Sequence, residues 1–283
     1  DMAGSRVGTD AIADETIVSP DGEGFMVTPT EMPMQMHMLG AMFAPVDQVT
    51  LMAMLPYLSS DMDHLTRAGG TFTTESAGIG DVKISALVKL ADVGRTRFIG
   101  TIGASLPTGS IEVMDVTPAS DPNEVVLPYP MQIGSGTVDL IPSLTYLGQS
   151  DNFGWGVQAR GTIRTGTNSR DYTLGNQFGG TTWGSVLVNN SLSLSTRLDV
   201  QTWGDIDGAD ASLNPMMVPT ARTDLRGGTR ADLSVGANVS LPDGNPLHGL
   251  RIAGEVATPL YQSLNGPQLE TDLTFTLGAQ FAF

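Results

Sequence analysis

The chain has 283 residues, 40% of them hydrophobic and 16% charged, with a formal net charge of −16 and no cysteine. Disulfides, thiolate catalysis and cysteine-based zinc sites are excluded, and so is a nucleic-acid partner, because no basic cluster exists to meet phosphates. A mean hydropathy of +0.02 and the lack of any run of about 18 apolar residues argue against membrane helices, but not against a barrel, whose lipid-facing residues alternate with lumen residues.

Thr, Ser, Gly, Val and Leu dominate over helix formers such as Lys and Glu, which favours an all-β fold. The lack of cysteine fits a chain exported unfolded through an oxidising compartment. No signal peptide starts at Asp1, so the numbering is expected to begin inside a precursor or after a leader has been removed.

In chain order, residues 1–32 are polar and turn-rich (Ser19-Pro20-Asp21-Gly22) and read as an outer loop or N-terminal segment, with a barrel over 33–283. Alternation predicts about eleven strands, near 33–45, 48–58, 81–91, 97–106, 136–147, 153–164, 181–188, 191–203, 230–241, 250–258 and 269–283. Their connections alternate in length. Those at 46–47, 92–96, 148–152, 189–190 and 242–249 are short, those at 59–80, 107–135, 165–180 and 204–229 are long, and only 262–268 breaks the contrast. Short turns at one end and long loops at the other are the layout of a transmembrane antiparallel up-and-down β-barrel of the bacterial outer membrane. The short turns and Phe283 are expected to face the periplasm and the long acidic loops the outside. Single-chain barrels close with even strand numbers, so twelve strands are expected, the first lying before Asp1 or hidden in the early segment.

The last strand carries Leu273, Phe275, Leu277, Phe281 and Phe283 on one face and Thr274, Thr276 and Gln280 on the other. A terminal Phe of this kind is what barrel assembly machinery reads. Elsewhere the same parity sets Val82, Ile84, Ala86, Val88 and Leu90 against Lys83, Ser85 and Lys89, and Trp155, Val157, Ala159 and Ile163 against Gln158, Arg160 and Arg164. Placing Arg or Lys on a lipid face near the midplane costs about 2–4 kcal/mol, so the charges must point inward. The predicted lumen lining is Asp81, Lys83, Lys89, Arg97, Asp139, Arg160, Arg164, Arg197, Asp199, Arg251, Glu255 and Asp272. Such charges either pair across the lumen and hold its shape or line and tune a conduit. A soluble lipocalin-like barrel would instead place its apolar face inside.

Met32, Met34, Met36, Met38 and Met42 share one face of the first visible strand, opposite Gln35, His37, Leu39 and Phe43; Met52 and Met54 follow on the next strand, and Met62 and His64 in the loop after it. Thioether and imidazole ligands suit Cu(I), which makes Met34, Met36, Met38, Met52 and Met54 candidate ligands. The alternative, that Met fills irregular space or meets lipid, is preferred because no cysteine or paired histidine completes a site. No metal or cofactor is therefore expected. His248 reads as a surface residue of a short turn. Leu106-Pro107-Thr108-Gly109 lacks the intervening residue of a sortase signal, and Gly78-Ile79-Gly80 leads into no helix that could cradle a phosphate. No serine is positioned to pair with His37, so an enzyme is not expected.

Gly78-Ile79-Gly80-Asp81-Val82-Lys83, Leu106-Pro107-Thr108-Gly109-Ser110 and Met36-His37-Met38-Leu39-Gly40-Ala41-Met42-Phe43-Ala44-Pro45, together with the terminal Phe, resemble the meta-pathway phenol degradation family of outer-membrane proteins. That family looks like a relative of the long-chain fatty-acid transporter barrels, and the likeness spans the chain from about Met32 onward. The resemblance implies a barrel of the twelve-strand type and passive uptake of small, often hydrophobic or aromatic molecules. It carries over no catalytic or ligand residues. The expected protein is a monomeric outer-membrane channel whose partners are outer-membrane lipid and lipopolysaccharide, the assembly machinery through Phe283, and a small-molecule substrate. A closed structural or surface-interaction barrel and a Met-rich copper-handling barrel are the alternatives.

Overall fold

The computed structural model of the chain describes residues 1–241 and 249–282. It begins with β1 (Met2–Gly8), β2 (Asp10–Ile12), a short helix α1 (Asp14–Val18) and β3 (Val27–Glu31). Then come β4 (Met34–Val46), β5 (Val49–Thr66), β6 (Thr71–Ile79), β7 (Val82–Val93) and β8 (Thr96–Leu106). A long loop holds the small hairpin of β9 (Met114–Val116) and β10 (Glu124–Val126). Next are β11 (Val138–Leu140), β12 (Ser143–Gln149), β13 (Phe153–Thr165), β14 (Tyr172–Thr173) and β15 (Gln177–Leu187). The remainder is β16 (Leu192–Trp203), β17 (Asp207–Gly208), β18 (Gly228–Ser240), β19 (Leu250–Thr271) and β20 (Thr274–Phe281).

All pairings are antiparallel, and the main sheet closes on itself, since β1 pairs with β19 through Met2↔Thr271, Ser5↔Leu269 and Arg6↔Gln268. Several elements are pieces of one wall segment. β3 and β4 run in succession along one edge of β5, and β6 and β7 along the other. β11 and β12 are separated only by Ile141-Pro142, where the proline has no N–H to offer the ladder. β19 enters the wall twice. Its first part pairs with β18 up to Leu264, the part from Leu264 to Thr271 pairs with β1, and β20 then runs back along Leu250–Ala257. The closed ring has eleven strands (β1, β3, β5, β7, β8, β11, β13, β15, β16, β18 and β19), and only counting the two passes of β19 separately brings its wall segments to twelve.

Two expectations change. Residues 1–32 are not a loop throughout, because β1 and β3 build the wall between β19 and β5. Period-two alternation is invisible there because Gly4 and Gly8 take positive φ and the β1–β19 register shifts twice. The predicted long loop at 59–80 is mostly strand. β5 and β6 continue as a hairpin from Tyr57↔Ile79 to Leu65↔Thr71, with Ser59, Asp61, Asp63 and Glu75 pointing out of the wall. A strand polar on its outer face gives no greasy stripe to read. The predicted turn at 242–249, apart from Gly249, lies outside the described residues, as do His248 and Phe283.

The ring is continuous only at the end that carries the long loops. Toward the short turns, β4 and β20 are its two edges, every residue of both is exposed, and among the described residues no strand pairing joins them. The hydrophobic core lies inside the ring at the long-loop end. Met32 and Met62 from the wall pack with Leu127 and Met131 from the loop between β8 and β11, and Tyr129 packs with Tyr172 and Ile206 from two further loops. Burying each such side chain stabilises by roughly 1.5–3 kcal/mol, so these loops are held inside the barrel mouth rather than standing free in solvent.

Candidate conduit and its plug

Register fixes which side chains face the lumen. The cross-strand partners Gln158↔Thr181↔Asp199↔Asp232 lie on one face, and Val157↔Thr182↔Leu198↔Leu233 on the other. Val157, Leu198, Leu233, Phe178, Val235 and Leu277 of the second face are solvent-exposed and apolar. The first face carries the charges, so it is the inner one.

Two of the pairs formed by those charges bridge strands that are not neighbours. Arg160 on β13 makes two 2.8 Å hydrogen bonds to the Asp199 carboxylate on β16, passing over β15 at Gly179, where a Cβ would lie 3.2 Å from the Arg160 Cζ. Arg197 on β16 lies 3.7 Å from Asp199 and is paired with Glu255 on β19 across β18. Arg230 pairs with Asp232 at 2.9 Å. A further pair, Arg164 with Asp139, is almost wholly buried where β11 meets β13, and Thr137 Oγ1 donates to Asp139 at 2.7 Å. Bidentate guanidinium–carboxylate pairs are among the strong hydrogen bonds.

The remaining predicted lining residues are scattered. Lys83 and Lys89 are on the inner face of β7, the latter 3.9 Å from Asp92. Arg97 pairs with Asp92 at 3.1 Å beside a short turn and is half-exposed. Arg251 donates to Asn238 at 3.1 Å. Asp272 is exposed between β19 and β20, its amide donating to the Asp1 carbonyl at 3.0 Å.

Asp81 does not line the lumen as a free charge. It sits between β6 and β7 and accepts hydrogen bonds from the Gly109 amide (2.9 Å), the Ser135 amide (2.8 Å) and Ser135 Oγ (2.7 Å). It therefore ties both ends of the long β8–β11 loop to the wall. The two loop ends meet at Gly109 and Gly134; a Cβ on Gly134 would fall 2.3 Å from the Gly109 carbonyl oxygen. Parity put Asp81 in phase with Lys83, but the strand breaks just before Val82.

The candidate metal ligands Met34, Met36, Met38, Met52 and Met54 face the lumen together. Met42 lies opposite Met52, Met38 opposite Pro56, and Met54 opposite both Gly40 and Lys83. His37 is on the outer face opposite Tyr57, so no imidazole joins this row. Among the described residues no group of three His, Cys, Asp or Glu converges.

The sequence pattern missed a second ionic knot, built wholly from loops. Arg170 pairs with Asp210, reaches Ser212 Oγ at 2.6 Å and Glu112 at 3.4 Å, and so joins three loops. Burial works against the Asp210 carboxylate, but hydrogen bonds from Arg170 and Ser212 outweigh it and hold its pKa below the usual value. Beside it, the Asp210 amide donates to the Tyr129 hydroxyl at 3.0 Å. Tyr129 meets Tyr172 edge-on at 4.8 Å, and burial pushes the Tyr172 pKa up to about 12. Residues in loops carry no period, so nothing in the chain singles out Arg170.

Comparison with known protein families and with curated proteins finds no match for the chain. Among solved structures it is similar to an outer membrane channel from Pseudomonas putida F1, with a TM-score of 0.58 and 14% identity over 99% of this chain and 89% of that one. At that identity the likeness is one of fold, and the chain has the antiparallel barrel fold of an outer membrane channel.

Proposed function

We propose that the protein spans the bacterial outer membrane as a passive channel for small molecules, with its short turns in the periplasm and its long loops outside. The observation that carries this reading is the division of the wall, which is apolar outside and lined inside by the Arg160–Asp199–Arg197–Glu255 network. Twelve wall segments enclose more space than the eight that side chains alone can fill. The likeness to a solved outer membrane channel supports the same assignment. The resemblance to the meta-pathway phenol degradation family points to small hydrophobic or aromatic substrates. Lipid and lipopolysaccharide would meet the outer face, assembly machinery would read the C-terminal strand, and no chemistry would be performed on the substrate.

A closed barrel without transport is the second reading, favoured by the loops that pack inside the mouth. Recording from the purified protein in planar bilayers separates the two. Stepwise conductance is expected. Silence at all voltages, combined with no uptake of neutral solutes in liposome swelling, would leave the closed barrel.

A further inference from the structure

Beyond the core clusters, the barrel mouth holds one partly open cavity of about 320 Å³ between the β5–β6 hairpin and two of the long loops. His64 and Phe72 line it from the wall, Val126 from the β8–β11 loop, and Leu213, Met217 and Val218 from the β16–β18 loop. This part of the wall stands clear of the apolar band, because the outer face of the hairpin here is Asp61, Asp63, Thr73 and Glu75. The lining is mostly apolar and contains no charged side chain among the described residues. A carboxylate or an ammonium group would find no counter-charge in it and would lose its water without compensation.

The lining also carries hydroxyl and amide side chains, among them Thr74, Ser212 and Asn214, and His64 is its one imidazole among the described residues. The His64 ring stacks on Phe72 at a centroid distance of 4.6 Å and an angle of 6°, which locks its orientation. Nδ1 is sealed from solvent with no hydrogen-bond partner, so Nε2 is the nitrogen that the cavity can reach. Burial drives the His64 pKa down from 6.5 to about 4, opposed in part by the carbonyls of Met62 and Phe72 and by Asp63. The ring is neutral at pH 7. A hydroxyl suits a neutral imidazole in either tautomer, because it can both donate and accept.

We infer that this cavity binds a compact, uncharged molecule that is apolar except for one hydroxyl, held by His64 and enclosed by Phe72, Val126, Leu213 and Met217. This deepens the channel reading, on which it rests for the direction of traffic, by naming the class of molecule captured at the mouth. Small-molecule sites of this kind combine a largely apolar lining with one or a few placed polar groups. The site is made only when both long loops pack against the wall, so it belongs to the plugged state of the mouth.

The test is equilibrium binding to the full chain in lipid nanodiscs, with empty nanodiscs as the blank and naphthol, naphthalene and naphthoate as probes at pH 7. Naphthol is expected to bind saturably, one per chain, and naphthoate not to bind. His64→Phe, which keeps the ring stack, should weaken naphthol by about tenfold, the worth of one hydrogen bond, and leave naphthalene unchanged. Ala119→Trp, an exposed loop position on the cavity rim, should weaken both neutral probes without touching the wall. Naphthol and naphthoate binding alike, naphthol affinity unmoved by both variants, or no saturable naphthol binding would each overturn the inference. Saturable binding by a protein that passes no solute removes the channel reading and leaves the site, whereas flux without saturable binding removes only the site.

Discussion

Arg160 and Asp199 stand on strands that do not touch, yet two parallel 2.8 Å hydrogen bonds join them across the strand between. Gly179 on that middle strand leaves room for the crossing, since a Cβ there would lie 3.2 Å from the Arg160 Cζ. The lumen face is thus organised by reach over a glycine as well as by nearest-neighbour pairing. Arg197 also reaches past one strand, from β16 across β18 to Glu255 on β19.

Replacing both arginines, Arg160→Ala/Arg197→Ala, leaves Asp199 and Glu255 without their cations. In bilayers under a salt gradient the reversal potential should move toward cation selectivity relative to wild type. An unchanged reversal potential in a conducting variant would mean that ions do not pass this face.

Asp81→Ala removes the acceptor that holds Gly109 and Ser135 together. The barrel should still form, but the β8–β11 loop should be cut by chymotrypsin at least about tenfold faster, given roughly 1–3 kcal/mol for stranded buried donors. Equal digestion rates would show that Met131 and Leu127 hold the loop without the knot.

Arg170→Ala strands the nearly buried Asp210 and disconnects three loops. Loss of one partner of such a pair costs about 3–5 kcal/mol when fully buried, and somewhat less here. Because the cost falls on the loops and not on the wall, the expected result is an intact barrel with larger single-channel conductance and longer open times. A variant that fails to fold would instead assign the knot a role in assembly.

His64 binds its proton less readily when folded than when unfolded, with its pKa lowered from 6.5 to about 4. Between those values the unfolded chain holds more protons, so this contribution is fully present above about pH 6.5 and is lost as pH falls toward 4. The linked change is at most about 3 kcal/mol. Unfolding midpoints of wild type should therefore drop more between pH 7 and pH 4 than those of His64→Phe. Parallel curves would falsify the buried, neutral assignment.

β4 and β20 each have one edge with no strand beside it among the described residues. Hydrogen exchange in nanodiscs should be faster at their outward-edge amides than in β16, which is paired on both sides. Protection equal to that of β16 would mean that the two edges are covered in the membrane.

The sequence by itself determined the parity of the wall. Charged residues on β13, β16, β18 and β19 share one face of the wall because a strand's two-residue period is local. Alternation along most strands also determined the all-β antiparallel barrel. Asp81 shows where parity stops, because the phase of a residue does not say whether the strand includes it. Only the tertiary structure decided that Met2–Gly8 pairs with residues more than 250 positions away, that Arg160 and Asp199 meet across β15, and that loops around Tyr129, Arg170 and Met217 fold into the mouth. These are long-range contacts between segments with no period, where packing and ion pairing, not the local backbone repeat, select the partner.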